Sequence, residues 1–114
     1  MALVNWIGGG DANGLTGTSI SAAGTTQATA TVLLAQDNEV TTVASGAGVV
    51  VSPLFNPGEE MTIFNAGANA LTVYPRLGLK INALPVNAGF SLGTNTGVLL
   101  RCVSTTRIFG GLSA

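Results

Sequence analysis

Met61-Thr62-Ile63-Phe64-Asn65-Ala66-Gly67-Ala68-Asn69-Ala70-Leu71-Thr72-Val73-Tyr74 is the stretch whose reading decides the fold class. Two runs rich in β-branched and aromatic residues flank Asn65-Ala66-Gly67-Ala68-Asn69, where Asn and Gly mark a turn. The pattern predicts a hairpin, with Met61–Phe64 running out and Leu71–Tyr74 returning. Alternation in the first run is only partial. Met61 and Ile63 share one face, and Thr62 and Phe64 share the other. A strand that is apolar on both faces is either central to packed layers or turned toward a neighbouring subunit.

Outward from this stretch, short runs of the same kind recur. Thr29–Leu34, Glu39–Val43 and Val49–Val51 precede it, and Leu79–Ile81, Phe90–Leu92, Val98–Val103 and Arg107–Phe109 follow. Gln36-Asp37-Asn38, Asn56-Pro57-Gly58-Glu59 and Gly93-Thr94-Asn95-Thr96-Gly97 are among the turn signals between them. No window carries a helical period. Many short strands at regular spacing predict an all-β domain, an antiparallel β-sandwich or a barrel. Such sheets leave open edges, and almost no Lys is present to guard them. The edges are therefore expected to be covered by a terminal arm or by another chain.

The first 26 residues differ in character. Gly8 to Thr26 is dense in Gly, Thr, Ser and Asn without periodicity, and reads as extended or loop chain. Ahead of it stands the apolar tip Leu3-Val4-Asn5-Trp6-Ile7. The expected division is an extended N-terminal arm over 1–26 and a β-sandwich domain over 27–114. Two dozen extended residues reach about 80 Å, further than such a domain is wide. The tip either docks on a partner or folds back as an extra strand. Burying a Trp is worth a few kcal/mol, roughly, and aromatic anchors concentrate at interfaces. Leu3, Val4, Trp6 and Ile7 are thus the candidate partner-binding residues.

Composition excludes several classes of function. The hydrophobic fraction is 46%, while the charged fraction is only 8% against about 25% in typical soluble domains. Disordered chains combine low hydrophobicity with high net charge, and neither is found here. Four Lys+Arg against five Asp+Glu supply no basic footprint for nucleic acid. So sparse a charge, with a net value of −1, suggests a surface covered by close neighbours. No apolar run approaches the 18 or so residues of a membrane span, and the N-terminus lacks the basic start of a signal peptide. The chain is expected to be made in the cytoplasm and not exported.

The same economy argues against catalysis. The chain has no His, which removes the commonest general base, the His-dependent triads and most zinc sites. Glu59 and Glu60 would point to opposite faces of an extended segment, a poor arrangement for a carboxylate pair. Asp37 and Glu39 could contribute to a calcium site, although solvated turn carboxylates explain them as well. Cys102, the single cysteine, lies in the apolar run Val98–Val103 and reads as a small buried hydrophobe. No catalytic residue, metal ligand or cofactor is expected.

Gly58 to Pro75, Ile81 to Leu92 and the ending Gly111-Leu112-Ser113-Ala114 resemble a pattern in small structural proteins of tailed bacteriophages, of the head-decoration (cement) type. The resemblance covers about Gln27 to Ala114 and consists of strand and turn residues. It implies a β-sandwich of jelly-roll-like form, placed on the outer capsid surface of the virion. It also implies a homotrimer that clamps neighbouring subunits of the major capsid protein. The alternative is a tail- or fibre-associated module that binds carbohydrate on the host surface. Against that alternative stand an aromatic fraction of 5% and the lack of a clustered polar site.

Overall fold

The computed structural model describes residues 16–113, and of 112 and 113 the backbone alone. It is all-β. Ten strands follow in order: β1 Thr16–Ser21, β2 Thr31–Leu33, β3 Asp37–Thr42, β4 Gly48–Val51, β5 Glu60–Asn65, β6 Leu71–Tyr74, β7 Lys80–Ile81, β8 Phe90–Leu92, β9 Thr96–Cys102 and β10 Arg107–Ser113. They form a six-stranded sheet, β1-β3-β5-β9-β10-β7, and a four-stranded sheet, β2-β4-β6-β8.

Through the first six strands the chain alternates between the two sheets. Each strand is therefore followed by one in the opposite layer, and two steps return the chain beside its starting strand in the same direction. Thr16, Asp37 and Thr62 stack in register across β1, β3 and β5, and Thr31, Val49 and Val73 do so across β2, β4 and β6. Both sets of ladders are parallel. The result is a short solenoid-like stack. It is closed by antiparallel strands: β8 on β6, β9 on β5, and β10 on β9, with β7 parallel to β10.

This corrects the expected antiparallel, jelly-roll-like sandwich. A hairpin does form between β9 and β10. The one predicted at Met61–Tyr74 does not form, because β5 and β6 lie in different sheets. The physical reason is visible in the side chains. Met61, Ile63, Asn65, Gly67, Leu71 and Val73 are all buried, so the inward positions continue at odd numbers around the corner. A corner that keeps the same side of the chain inward carries it from one layer to the other.

Asn65 holds that corner. Its amide Nδ2 donates to the carbonyls of Asn69 and Leu92, both at 2.9 Å, and its Oδ1 accepts the Gly67 N–H at 2.9 Å. Asn69 in turn donates to the Val43 carbonyl at 2.8 Å. Gly67 is required by space: a Cβ there would lie 2.5 Å from Val43 Cγ2 and 3.0 Å from the Val43 nitrogen. The corner is thus pinned to the coil before it and to β8 after it.

The core lies between the sheets. Val40, Met61, Ile63, Val98, Leu100 and Ile108 from the six-stranded sheet meet Leu33, Val49, Val51, Leu71, Val73 and Leu92 from the four-stranded one. Each fully buried aliphatic side chain contributes about 1.5–3 kcal/mol. Asn82 ends β7 with φ at 52° and extends the ladder with its side chain, accepting the Gly110 N–H at 3.0 Å and donating to the Gly110 carbonyl at 3.2 Å. Asn tolerates this left-handed region because its short amide bonds locally.

Thr16–Ser21, within the stretch expected to be an arm, forms the edge strand β1 on β3. Its ladder slips at Thr18–Ser19, where Ser19 sits at φ 55°. The following chain stays attached. Ala23 bridges Gly48, the Tyr74 hydroxyl donates to the Thr25 carbonyl at 3.0 Å, and Gln27 donates to the Pro75 carbonyl at 2.9 Å. Leu3, Val4, Trp6 and Ile7 lie outside the described residues.

Candidate interaction surface

The outward face of the six-stranded sheet is the feature of this fold that packing among the described residues does not explain. Strand alternation places Glu60, Thr62 and Phe64 of β5 outward, opposite the buried Met61, Ile63 and Asn65. On β9 the outward set is Gly97, Leu99 and Arg101, and on β10 it is Arg107, Phe109 and Gly111. Phe64 is 41% exposed, Leu99 44% and Phe109 58%. Phe64 is paired across the ladder with Gly97, and Leu99 with Gly111, so large apolar groups alternate with bare backbone. A shallow groove of about 260 Å³ results, with Gly97 and Gly111 on its floor and Thr62, Phe64 and Leu99 along it.

Polar groups flank this stripe on both sides. Asp37 and Glu39 of β3 point outward, and Asp37 Oδ1 accepts the Thr62 hydroxyl at 2.6 Å. Glu60 and Arg101 form an ion pair at 2.5 Å across β5 and β9, with both side chains near half exposure. A pair so exposed contributes about 0.2–1 kcal/mol and acts mainly as a marker of orientation. On the far side, Arg107 of β10 stands directly opposite Lys80 of β7.

The outward face of the four-stranded sheet is different. It is partly roofed by the chain's own residues, with Val50 buried beneath a groove that Gln27, Ala28 and Leu77 help to line. Val32 and Leu77 are exposed beside it. A second apolar hollow, of about 540 Å³, opens between the sheets near Ile81, Leu84, Phe90 and Val98, and no ionisable side chain lines it.

The residues singled out for chemistry are dispersed. Glu59 Oε1 accepts the Asn56 N–H at 2.8 Å within a turn, while Glu60 faces Arg101. Asp37 and Glu39 share the outer face of β3, and among the described residues no group of three or more His, Cys, Asp or Glu could hold a metal ion. No helix of the described residues is long and apolar enough to cross a membrane. From residue type and spacing alone, neither Phe64 nor Phe109 reads as a surface residue. The signal for Phe64 was the two-faced apolarity of Met61–Phe64, which left a central strand and a subunit contact as alternatives. The structure shows β5 in the interior of its sheet, with Phe64 on an outer face that other described residues leave open.

Cys102 is buried at the end of β9, and its Sγ donates to the Ser104 carbonyl at 3.3 Å. Burial, the largest influence, pushes the thiol above its ordinary range. Folding therefore favours the neutral thiol. That contribution is complete below the unfolded thiol's pKa, about 8.5, and is lost as pH rises through the higher folded value. We expect the urea midpoint to fall above about pH 9 and a Cys102→Ala chain to show a shallower decline. Thiol labelling of the native protein should be slow and should accelerate with denaturant; rapid labelling in buffer would contradict the burial.

Comparison with protein-family models, curated proteins and solved structures finds no significant match.

Proposed function

We propose that this chain is a non-catalytic structural protein of a bacteriophage virion, a homotrimer that decorates the outer capsid surface and clamps neighbouring major capsid subunits. The observation that carries an assembly role is the outer face around Phe64, Leu99 and Phe109, which the other described residues leave open. Three large exposed apolar side chains, two of them lining a groove, form a surface suited to contact with a partner. The phage address rests on the resemblance of Gly58–Pro75 and Ile81–Leu92. A small oligomer with several modest contacts per lattice site gains retention by avidity, so no single contact needs to be strong. No catalytic group, metal or cofactor has a part in this reading.

The described residues begin in β1 at Thr16, and the 15 positions ahead of it would span about 50 Å if extended. That length suffices for Leu3, Val4, Trp6 and Ile7 to reach a capsid subunit beside the domain. We expect deletion of Met1–Ile7 to leave the thermal transition of the β domain within a few degrees and to reduce attachment to decoration-free heads by at least tenfold. Unfolding of the truncated chain would make the tip part of the core and remove the arm. Cryo-microscopy of the parent particle tests the address itself: density on the head shell supports it, and density confined to the tail favours the host-binding alternative.

A further inference from the structure

The charges on the outward face of the six-stranded sheet are sorted by sign. Three of the five acids, Asp37, Glu39 and Glu60, stand on β3 and β5. Three of the four bases, Arg101, Arg107 and Lys80, stand on β9, β10 and β7. In the strand order β1-β3-β5-β9-β10-β7 the sign changes once, between β5 and β9, within the Phe64–Leu99–Phe109 stripe. A chain this poor in charge has placed most of what it has on one face, in two opposed halves.

Within one copy these halves neutralise each other only at their boundary. Glu60 and Arg101, at the boundary, form the one ion pair among the described residues. Asp37 and Glu39 lie three to four strands from Arg107 and Lys80, about 14–19 Å at the usual strand spacing. That exceeds the Debye length of about 8 Å at physiological ionic strength. Each half also carries its own repulsion. Arg107 and Lys80 are directly cross-strand, an arrangement that like charges make unfavourable, and Asp37 and Glu39 share one face of one strand. Both like-charged pairs would be relieved by the opposite pair on another surface.

We infer that this face is where copies of the chain meet, the acidic β3–β5 half of one copy lying on the basic β9–β10–β7 half of the next. The occupant is a second copy because the face supplies its own complement: acid, apolar stripe and base, in that order across the sheet. Each copy offers both halves, so the face is complementary to itself, and the contact draws Phe64, Leu99 and Phe109 out of water. The inference deepens the homo-oligomer of the proposed function and rests on that part of it. It needs no capsid.

Sedimentation of four chains tests it: the wild type, Lys80→Glu with Arg107→Glu, Asp37→Lys with Glu39→Lys, and the chain carrying all four changes. The wild type should associate at micromolar concentration. Each double reversal should weaken association at least tenfold with an unchanged circular-dichroism spectrum, and the fourfold swap should restore it. Raising salt from 50 mM to 500 mM should weaken wild-type association by about tenfold, a measurement that needs no variant. A monomeric wild type overturns this surface and the proposed oligomer together. An oligomer indifferent to salt and to both reversals overturns the surface alone and leaves the oligomer standing.

Discussion

Replacing Asn65 by Ala is expected to destabilise the domain by about 4 kcal/mol. The side chain is fully buried and holds two carbonyls and one N–H, those of Asn69, Leu92 and Gly67. Each buried backbone group left without a partner costs about 1–3 kcal/mol. Against a total stability of about 5–15 kcal/mol, the loss is a large fraction. The melting temperature should fall by more than about 15 °C, since a domain of this size shifts by several degrees per kcal/mol. Asn69→Ala is the control. That residue is exposed and gives a single bond to the Val43 carbonyl, so its loss should cost about 1 kcal/mol. Equal effects from the two substitutions would mean that Asn65 does not hold the corner.

The second large effect separates neighbours in sequence. Leu100→Ala should cost about 3–5 kcal/mol, because Leu100 is fully buried in the column of Met61 and Gly110, and truncation there opens a cavity. Leu99→Ala should change monomer stability by less than about 1 kcal/mol, since its side chain is largely outside the core. Chemical denaturation of both variants at a concentration where the wild type is monomeric gives the comparison. In the associated state the order of importance shifts, and Leu99→Ala should also weaken self-association. If Leu99 proved the costlier of the two, the assignment of inner and outer faces would be reversed.

Much of the local structure was legible from residue types. Phe90–Leu92 is a strand with the predicted limits, and Val49–Val51 and Arg107–Phe109 lie inside β4 and β10. Cys102 is buried, as its apolar run implied. Asp37-Asn38 and Thr96-Gly97 read as turns, yet they open β3 and β9. Tertiary pairing overrides the turn preference of these residues. Asn38 is buried with its amide on the carbonyls of Ala35 and Thr62, and Gly97 lies under the outer face opposite Phe64. Among the charged residues, Asp37 and Glu39 read in sequence only as solvated or calcium-binding turn carboxylates, and the opposition of Lys80 and Arg107 depends on which strands become neighbours.

The sequence by itself determined that this is an all-β chain of many short strands, with no His and with Lys and Arg too few for a basic footprint. Those properties follow from residue types and from spacing along the chain. Only the tertiary structure decided which strands pair. A turn of a few residues can fold a strand back beside its predecessor or carry it to the facing layer, and Asn65-Ala66-Gly67-Ala68-Asn69 is compatible with either in one dimension. The choice is made by Asn65 reaching Leu92 and by Gly67 fitting against Val43, contacts with partners 27 and more than 20 positions away. Once the layers alternate, the parallel stack follows. With it comes the outer face, on which Phe64, Leu99 and Phe109 stand between acid and base.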